Sequence, residues 1–444
     1  MRGRSFEAGR ALVLGLVVVC ALLLLGGVGV AGACTLTDLN CRLRESGTEL
    51  SRTAGGVVLP SGFATEVIAS DLDVPTAFDF LPDGRVLIAE KNGLVKIASD
   101  GVVDSTPVLD LTNKVNVALF RGLIAIAVDP RYANNRYIYV VYTPRRPNTT
   151  RESKDPTYAV VSRFTLTESG AVDERVILGA AGESAGTCSR LPRTADCLPS
   201  EVDHVGADIV FGRDDTLFVT TGDGGGLEEV EDQAFDAQSI DALGGKVLRV
   251  TREGQGVASN PFFDGDPTSN RSKVWARGFR NPFRLARSPS SDLLMVGDVG
   301  WQSAEEINSV HRGANYGWPC YEGLSRTMGY KATPQCVAMY RHPVAAEPPT
   351  IALPNTTGSA SVTGGPFVRT ESYPTEARRY YYADWVAGSV HHALIDQTSG
   401  DLRGEPSIFA ENAGGPVALR VGRDGLLYIL ALNYGELLRI AYEP

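Results

Sequence analysis

Histidine is scarce in this chain, five among 444 residues, so a proton-transfer role for imidazole can fall on few positions. Basic charge is in deficit: 42 Lys and Arg against 52 Asp and Glu leave a formal net charge of −10. A surface of that sign argues against nucleic acid as the main partner, because phosphate contacts need clustered cations. None of the seven cysteines forms a C-x-x-C pair, which argues against structural zinc. No phosphate-binding loop or nucleophile elbow is assigned. The glycine run Gly222–Gly226 lacks the G-x-G-x-x-G spacing of a dinucleotide site. Long helical periods are also missing. Instead 48 Gly and 25 Pro interrupt many short apolar runs, which points to strands and turns. With 43% apolar and 21% charged residues the chain can bury a sizeable core.

At the N-terminus, Arg2, Arg4 and Arg10 precede an apolar run from Ala11 to Val30, which ends in Ala31-Gly32-Ala33. That order reads as a signal peptide over 1–33, followed by an N-terminal extension over 34–56. The expected location is secreted or periplasmic. Two alternatives stay open: the apolar run is nearly long enough to remain as a helical membrane anchor, and Cys34 directly after Ala33 allows a lipid anchor. Cleavage would remove Cys20 and leave Cys34/Cys41, Cys188/Cys197 and Cys320/Cys336. An even number in an oxidising compartment favours disulfides. Six cysteines allow fifteen connectivities, of which the sequence-local pairing is the expectation.

From 57 to 444 one pattern recurs: an apolar stretch, a turn rich in Asp, Gly or Asn, then an apolar strand. Copies begin near Phe78, Ile126, Ile209, Leu285 and Val417, with a degenerate one ending in Arg379-Tyr-Tyr-Tyr-Ala-Asp384. Turn pairs such as Asp83-Gly84 and Asp424-Gly425 supply the positive φ of a hairpin. A third strand often follows, as in Gly93–Ile97, Gly245–Val250 and Gly435–Ile440. Six such units predict an all-β, six-bladed propeller with four-stranded blades. The polar stretch Pro144–Pro156 reads as a surface loop.

Three clusters carry candidate chemistry. Asp203-His204-Val-Gly206 with Gly222-Asp223-Gly pairs a histidine with carboxylates that could hold its tautomer, or it is a turn histidine with solvated neighbours. Arg277-Gly-Phe-Arg280-Asn281-Pro-Phe-Arg284 offers planar forks and an amide, or a basic surface loop. Gly297-Asp298-Val-Gly300-Trp301 with Glu305, Glu306 and Asn315-Tyr-Gly-Trp-Pro319 offers calcium-type oxygens without EF-hand spacing, or an acidic helix start with an aromatic plug.

In that order, and with Arg121-Gly-Leu and Gly245-Lys-Val-Leu-Arg between them, these motifs resemble the soluble quinoprotein glucose dehydrogenases, also called glucose/sorbosone dehydrogenases, from about Leu59 to Tyr442. The resemblance implies a six-bladed propeller that holds pyrroloquinoline quinone and calcium, oxidises a sugar's anomeric hydroxyl and passes electrons to an external acceptor. It implies His204 as general base, Asp223 as the acid that orients it and Asp203 beside them. Arg280 and Asn281 would face the quinone oxygens, and the carbonyls of Gly300 and Trp301 would face calcium. The chain departs from the pattern where arginines and a lysine would grip the cofactor carboxylates: Gly415, Val417 and Val386 stand there, and Phe120 replaces a polar residue before Arg121. Some relatives with this scaffold, hedgehog-interacting proteins among them, are non-catalytic binders of protein or glycan, which is the alternative function.

Overall fold

The computed structural model describes residues 56–444, apart from 201–202, 207, 227–229, 343–345 and 356–359. The leader, the extension and the Cys34/Cys41 couple lie outside the described residues. Among the described residues no helix is long and apolar enough to cross a membrane.

Six antiparallel sheets form the blades, each starting on an inner strand: Pro75–Phe80, Leu123–Val128, Ile209–Phe211, Pro282–Arg287, Val362–Thr363 and Pro416–Val421. Successive inner strands touch, and the last touches the first, so the ring is closed. Closure is made by the first described strand: Phe63–Ala69 pairs with Glu436–Tyr442 as the outer strand of blade 6, in a register with Thr65 opposite Ile440. The expected propeller is therefore observed, with two additions to the four-strand plan. The outer edge of blade 1 is split into Val102–Val103 and Leu109–Asp110, and Leu198–Ser200 adds to the long strand Thr157–Thr167 of blade 2.

Second strands such as Val86–Glu90, Leu217–Thr221 and Leu427–Ala431 are buried throughout. Each blade is sandwiched between two others, so these strands read as apolar runs rather than alternating ones. The core accordingly lies between blades: Leu87, Ala89 and Val95 of blade 1 pack with Ile126, Ile138 and Val140 of blade 2. The disulfides Cys188–Cys197 and Cys320–Cys336 form as the local pairing expected. The 144–156 stretch is more than a surface loop. Val117 N–H donates to Arg151 O, and Arg121 Nη1 donates to Ser153 O at 2.9 Å, so the stretch lies over the mouth of blades 1 and 2.

Below that mouth the channel is plugged by polar groups. Arg284 Nη1, Nη2 and Nε donate to the carbonyls of Ile124, Thr76 and Val417, on three other blades. Deeper, Arg420 pairs with Asp208 at 2.8 Å, and Asp208 also accepts from Leu285 N–H. One buried guanidinium thus ties four inner strands together, an arrangement that satisfies carbonyls no ladder reaches.

Candidate active site

The starts of the inner strands and the ends of the second strands gather at one end of the ring, and the sequence clusters converge there. His204 lies just before the inner strand of blade 3, and Asp223 follows that blade's second strand. The two turns are pressed together: a Cβ on Gly222 would sit 2.2 Å from His204 O. Glycine is required there by close backbone approach.

His204 Nδ1 lies 2.8 Å from Asp223 Oδ1, while Nε2 is buried with no hydrogen-bond partner among the described residues. Asp223 Oδ1 also accepts from Gly225 N–H at 2.8 Å, and Oδ2 accepts from Trp318 Nε1 at 2.7 Å. Arg280 and Asn281 sit against this pair. Arg280 O accepts from Asp223 N–H, and Asn281 Oδ1 accepts from Gly206 N–H at 3.1 Å. Asp298 receives the backbone N–H groups of both Arg280 and Asn281, so a carboxylate sets the turn that aims them. Relative exposures of 2% for His204 and Asp223, 3% for Arg280 and 7% for Asp203 make this a desolvated constellation rather than a solvated turn.

Burial shapes the electrostatics. It pushes the His204 pKa down, assisted by Arg280 and against the pull of Asp223, so the imidazole is neutral at neutral pH. Burial pushes Asp223 up, but His204, Arg280 and the Gly225 amide outweigh it and hold the carboxyl below its ordinary range. Asp203 goes the other way. Burial raises it to about 6 in spite of Arg121, Arg280 and Lys154, and its Oδ1 is buried without a partner among the described residues. A neutral imidazole with a fixed Nδ1–H and an open Nε2 can accept a proton from a bound hydroxyl, and the neighbouring guanidinium can stabilise negative charge.

The rest of the second cluster is drawn elsewhere. Arg284 enters the channel plug, and Arg277 lies over the ring of Phe262, 5.8 Å from its centroid. The third cluster is not arranged as a set of metal carboxylates. Glu305 accepts from the amides of Gly300 and Val362, and Glu306 from that of Gly323 and from Asn308 Nδ2. Glu322, which the sequence did not single out, accepts from the amides of Trp301, Gln302 and Ser303. These carboxylates shape the loop, and among the described residues no group of three or more His, Cys, Asp or Glu is placed to hold a metal. Gly300 O accepts from Arg280 Nη1 at 2.6 Å, so an ion at the Gly300 and Trp301 carbonyls would share the first with a guanidinium.

The opposite side of the mouth lacks cations at the expected positions. Gly415 has φ +67°, and a Cβ on it would meet Asn433 Nδ2 at 2.7 Å and Trp385 Nε1 at 3.0 Å. Val417 is packed with Leu432, Phe283 and Trp385, while Phe120 and Val386 are exposed. One string does match nucleophile-elbow spacing, Gly182-Glu-Ser184-Ala-Gly186, and was passed over in the sequence. Ser184 sits exposed on the five-residue helix Ala181–Ala185 and donates to Ala181 O, away from any strand-to-helix elbow, so it carries no chemistry.

Comparison with known proteins follows the same lines. The chain is 26% identical over 388 residues to the aldose sugar dehydrogenase YliI of Escherichia coli, covering 86% of this chain and 94% of that protein. It is 28% identical over 243 residues to human hedgehog-interacting protein, covering 50% of this chain and 31% of that protein. The PQQ-bound aldose sugar dehydrogenase of Streptomyces coelicolor shares the fold, with a TM-score of 0.63 at 20% identity over 87% of this chain and all of that one. A family model described as Glucose / Sorbosone dehydrogenase matches residues 72–439, and the chain belongs to that family.

Proposed function

We propose that the chain is an exported sugar dehydrogenase that uses pyrroloquinoline quinone and calcium to oxidise the anomeric hydroxyl of an aldose to a lactone. The observation that carries this reading is the buried His204, with Nδ1 tied to Asp223 and Nε2 open beside Arg280. When bound, the quinone supplies the hydride acceptor. His204 Nε2 takes the hydroxyl proton, Asp223 holds the imidazole against the charge it gains, and Arg280 and Asn281 orient the quinone oxygens. Asp203 lines the same pocket. Calcium would be held by the carbonyls of Gly300 and Trp301. An external acceptor would take the electrons. The chain's export is supported by its oxidised cysteine pairs, with an N-terminal lipid or helix anchor at the outer membrane face as the variant of that location.

The residues present fit the reactive end of the quinone, where buried Arg280 Nε, His204 Nε2 and Asp203 Oδ1 all lack partners among the described residues. They do not fit its carboxylate end, where Gly415 and Val417 stand. That mismatch favours a second reading, a non-catalytic propeller that binds a protein or glycan, in keeping with the hedgehog-interacting relative. Titrating apo-protein with quinone plus calcium, followed by absorbance, and then assaying dye-linked aldose oxidation decides between them. Uptake and turnover that His204→Ala abolishes support the dehydrogenase. Absence of uptake at saturating quinone supports the binder.

A further inference from the structure

We infer that Trp318 is a positioning residue for the His204–Asp223 pair, its indole N–H fixing the carboxylate that fixes the imidazole. The inference rests on the proton-accepting role proposed for His204. Asp223 Oδ1 receives His204 Nδ1 and Gly225 N–H, each at 2.8 Å, and Oδ2 receives Trp318 Nε1 at 2.7 Å. A carboxylate held on one oxygen can turn about Cβ–Cγ and exchange its two oxygens. A donor on each oxygen fixes its plane, and with it the tautomer and tilt of the ring it holds.

Trp318 is itself firmly mounted. It is 5% exposed, its N–H donates to Gly278 O at 3.0 Å, and its own carbonyl accepts from Gln238 Nε2 at 2.6 Å. The ring packs edge-on against Trp301 and Tyr330, with centroids 6.1 and 5.6 Å away, in a cluster that includes the Cys320–Cys336 disulfide. The Arg280 guanidinium carbon lies 5.6 Å from the same ring centroid. One indole therefore touches both the carboxylate of the pair and the cation beside it. Phenylalanine would fill the same space but leave Oδ2 without its donor, so the N–H is what tryptophan adds.

The test uses apo-protein labelled with nitrogen-15 in histidine, comparing wild type with Trp318→Phe. In wild type, neutral His204 is expected as the Nδ1–H tautomer with a downfield proton bonded to Asp223, and His204→Ala identifies the signal. In Trp318→Phe that proton should exchange at least about tenfold faster or vanish while circular dichroism is unchanged. In quinone-loaded enzyme, kcat should fall about 10- to 100-fold with KM for the sugar little moved, the loss expected for one bond to a charged group. A folded variant with an unchanged Nδ1–H signal overturns the inference. Should Trp318→Phe not fold, the bond is read from its other end: the Trp318 indole proton should be slow to exchange in wild type and move upfield in Asp223→Asn. An indole proton that ignores Asp223→Asn also overturns it. The spectroscopic arms need no cofactor, so a chain that never oxidises sugar defeats the functional reading while the role of Trp318 is still decided.

Discussion

Replacing Asp203 by asparagine removes a charge that the fold resists. Burial holds this carboxyl at about 6, against an ordinary 3.8, even though Arg121, Arg280 and Lys154 pull it down. Its folded pKa is raised, so between those two values the native state binds more protons than the unfolded chain. Stability is present below the unfolded value and falls as pH rises across that window. The rise from 3.8 to about 6, which already includes the pull of the cations, corresponds to roughly 3 kcal/mol at neutral pH. Asp203→Asn should therefore be more stable at pH 7 by about 1–3 kcal/mol, with the gain gone near pH 4. For a propeller of roughly 390 residues, unfolding entropy of about 2 cal/mol/K per residue turns that into about 1–4 °C in Tm. Calorimetry of both proteins at pH 4 and pH 7 measures it. A lower Tm at pH 7 would refute the reasoning by showing an Asp203 carboxylate well paired in the fold, and the same shift at both pH values would refute it by showing a carboxyl whose pKa does not change on folding. If Asp203 lines the cofactor pocket as proposed, turnover should move the other way, because its Oδ1 is buried without a partner among the described residues: the stabilised variant should be the poorer enzyme.

Three other outcomes are expected. In quinone-loaded enzyme His204→Ala should lower turnover by about 10²–10⁴-fold, and Asp223→Asn by less, because the second disturbs orientation and leaves the base; steady-state dye reduction checks the order. Arg284→Met leaves the carbonyls of Thr76, Ile124 and Val417 without their donor, so denaturant unfolding should show a loss of about 3 kcal/mol or more. Millimolar calcium should raise the Tm by mass action if the Gly300 and Trp301 carbonyls bind it, and an unmoved Tm counts against that site.

The ring was legible because propeller blades repeat. Asp83-Gly84 and Asp424-Gly425 announce hairpins, and the mostly apolar second strands announce sheets buried on both faces. Closure was not legible: Phe63–Ala69 carries no mark that its partner lies at Glu436–Tyr442, because strand pairing across the whole chain leaves no local pattern. At the site, scarcity singled out His204 and motif order brought Asp223, Arg280 and Asn281 with it. Residues that act through backbone amides were hidden. Glu305 and Glu306 read as calcium-type oxygens or an acidic helix start, whereas in the fold they accept from loop amides, and Glu322 lay outside every motif. Their partners are N–H groups, which any sequence supplies. Trp318 read as core, and packing alone gives no hint that its indole reaches Asp223. The available signal was chemical: a buried tryptophan N–H needs an acceptor.

The two halves of the mouth make different demands on a ligand. On the side of blades 3 and 4, buried donors and acceptors without partners surround a neutral imidazole, an arrangement costly to maintain unless a ligand completes it. Across the mouth Val417, Trp385 and Leu432 belong to one apolar cluster, which Phe283 of blade 4 joins, and a side chain at Gly415 would collide with Asn433 and force φ +67° on a residue with a Cβ. Arginine cannot simply be restored there, so the absence of the carboxylate grip is built into the backbone of blade 6 and is not confined to one side chain. Each missing charge-assisted bond removes about 1.5–3 kcal/mol, and three of them weaken a tricarboxylate by orders of magnitude. Under the proposed function, catalytic geometry and cofactor affinity are therefore separable in this chain: His204, Asp223 and Arg280 would supply the first, while the second would rest on Arg280 and Asn281 without a grip at Gly415 and Val417.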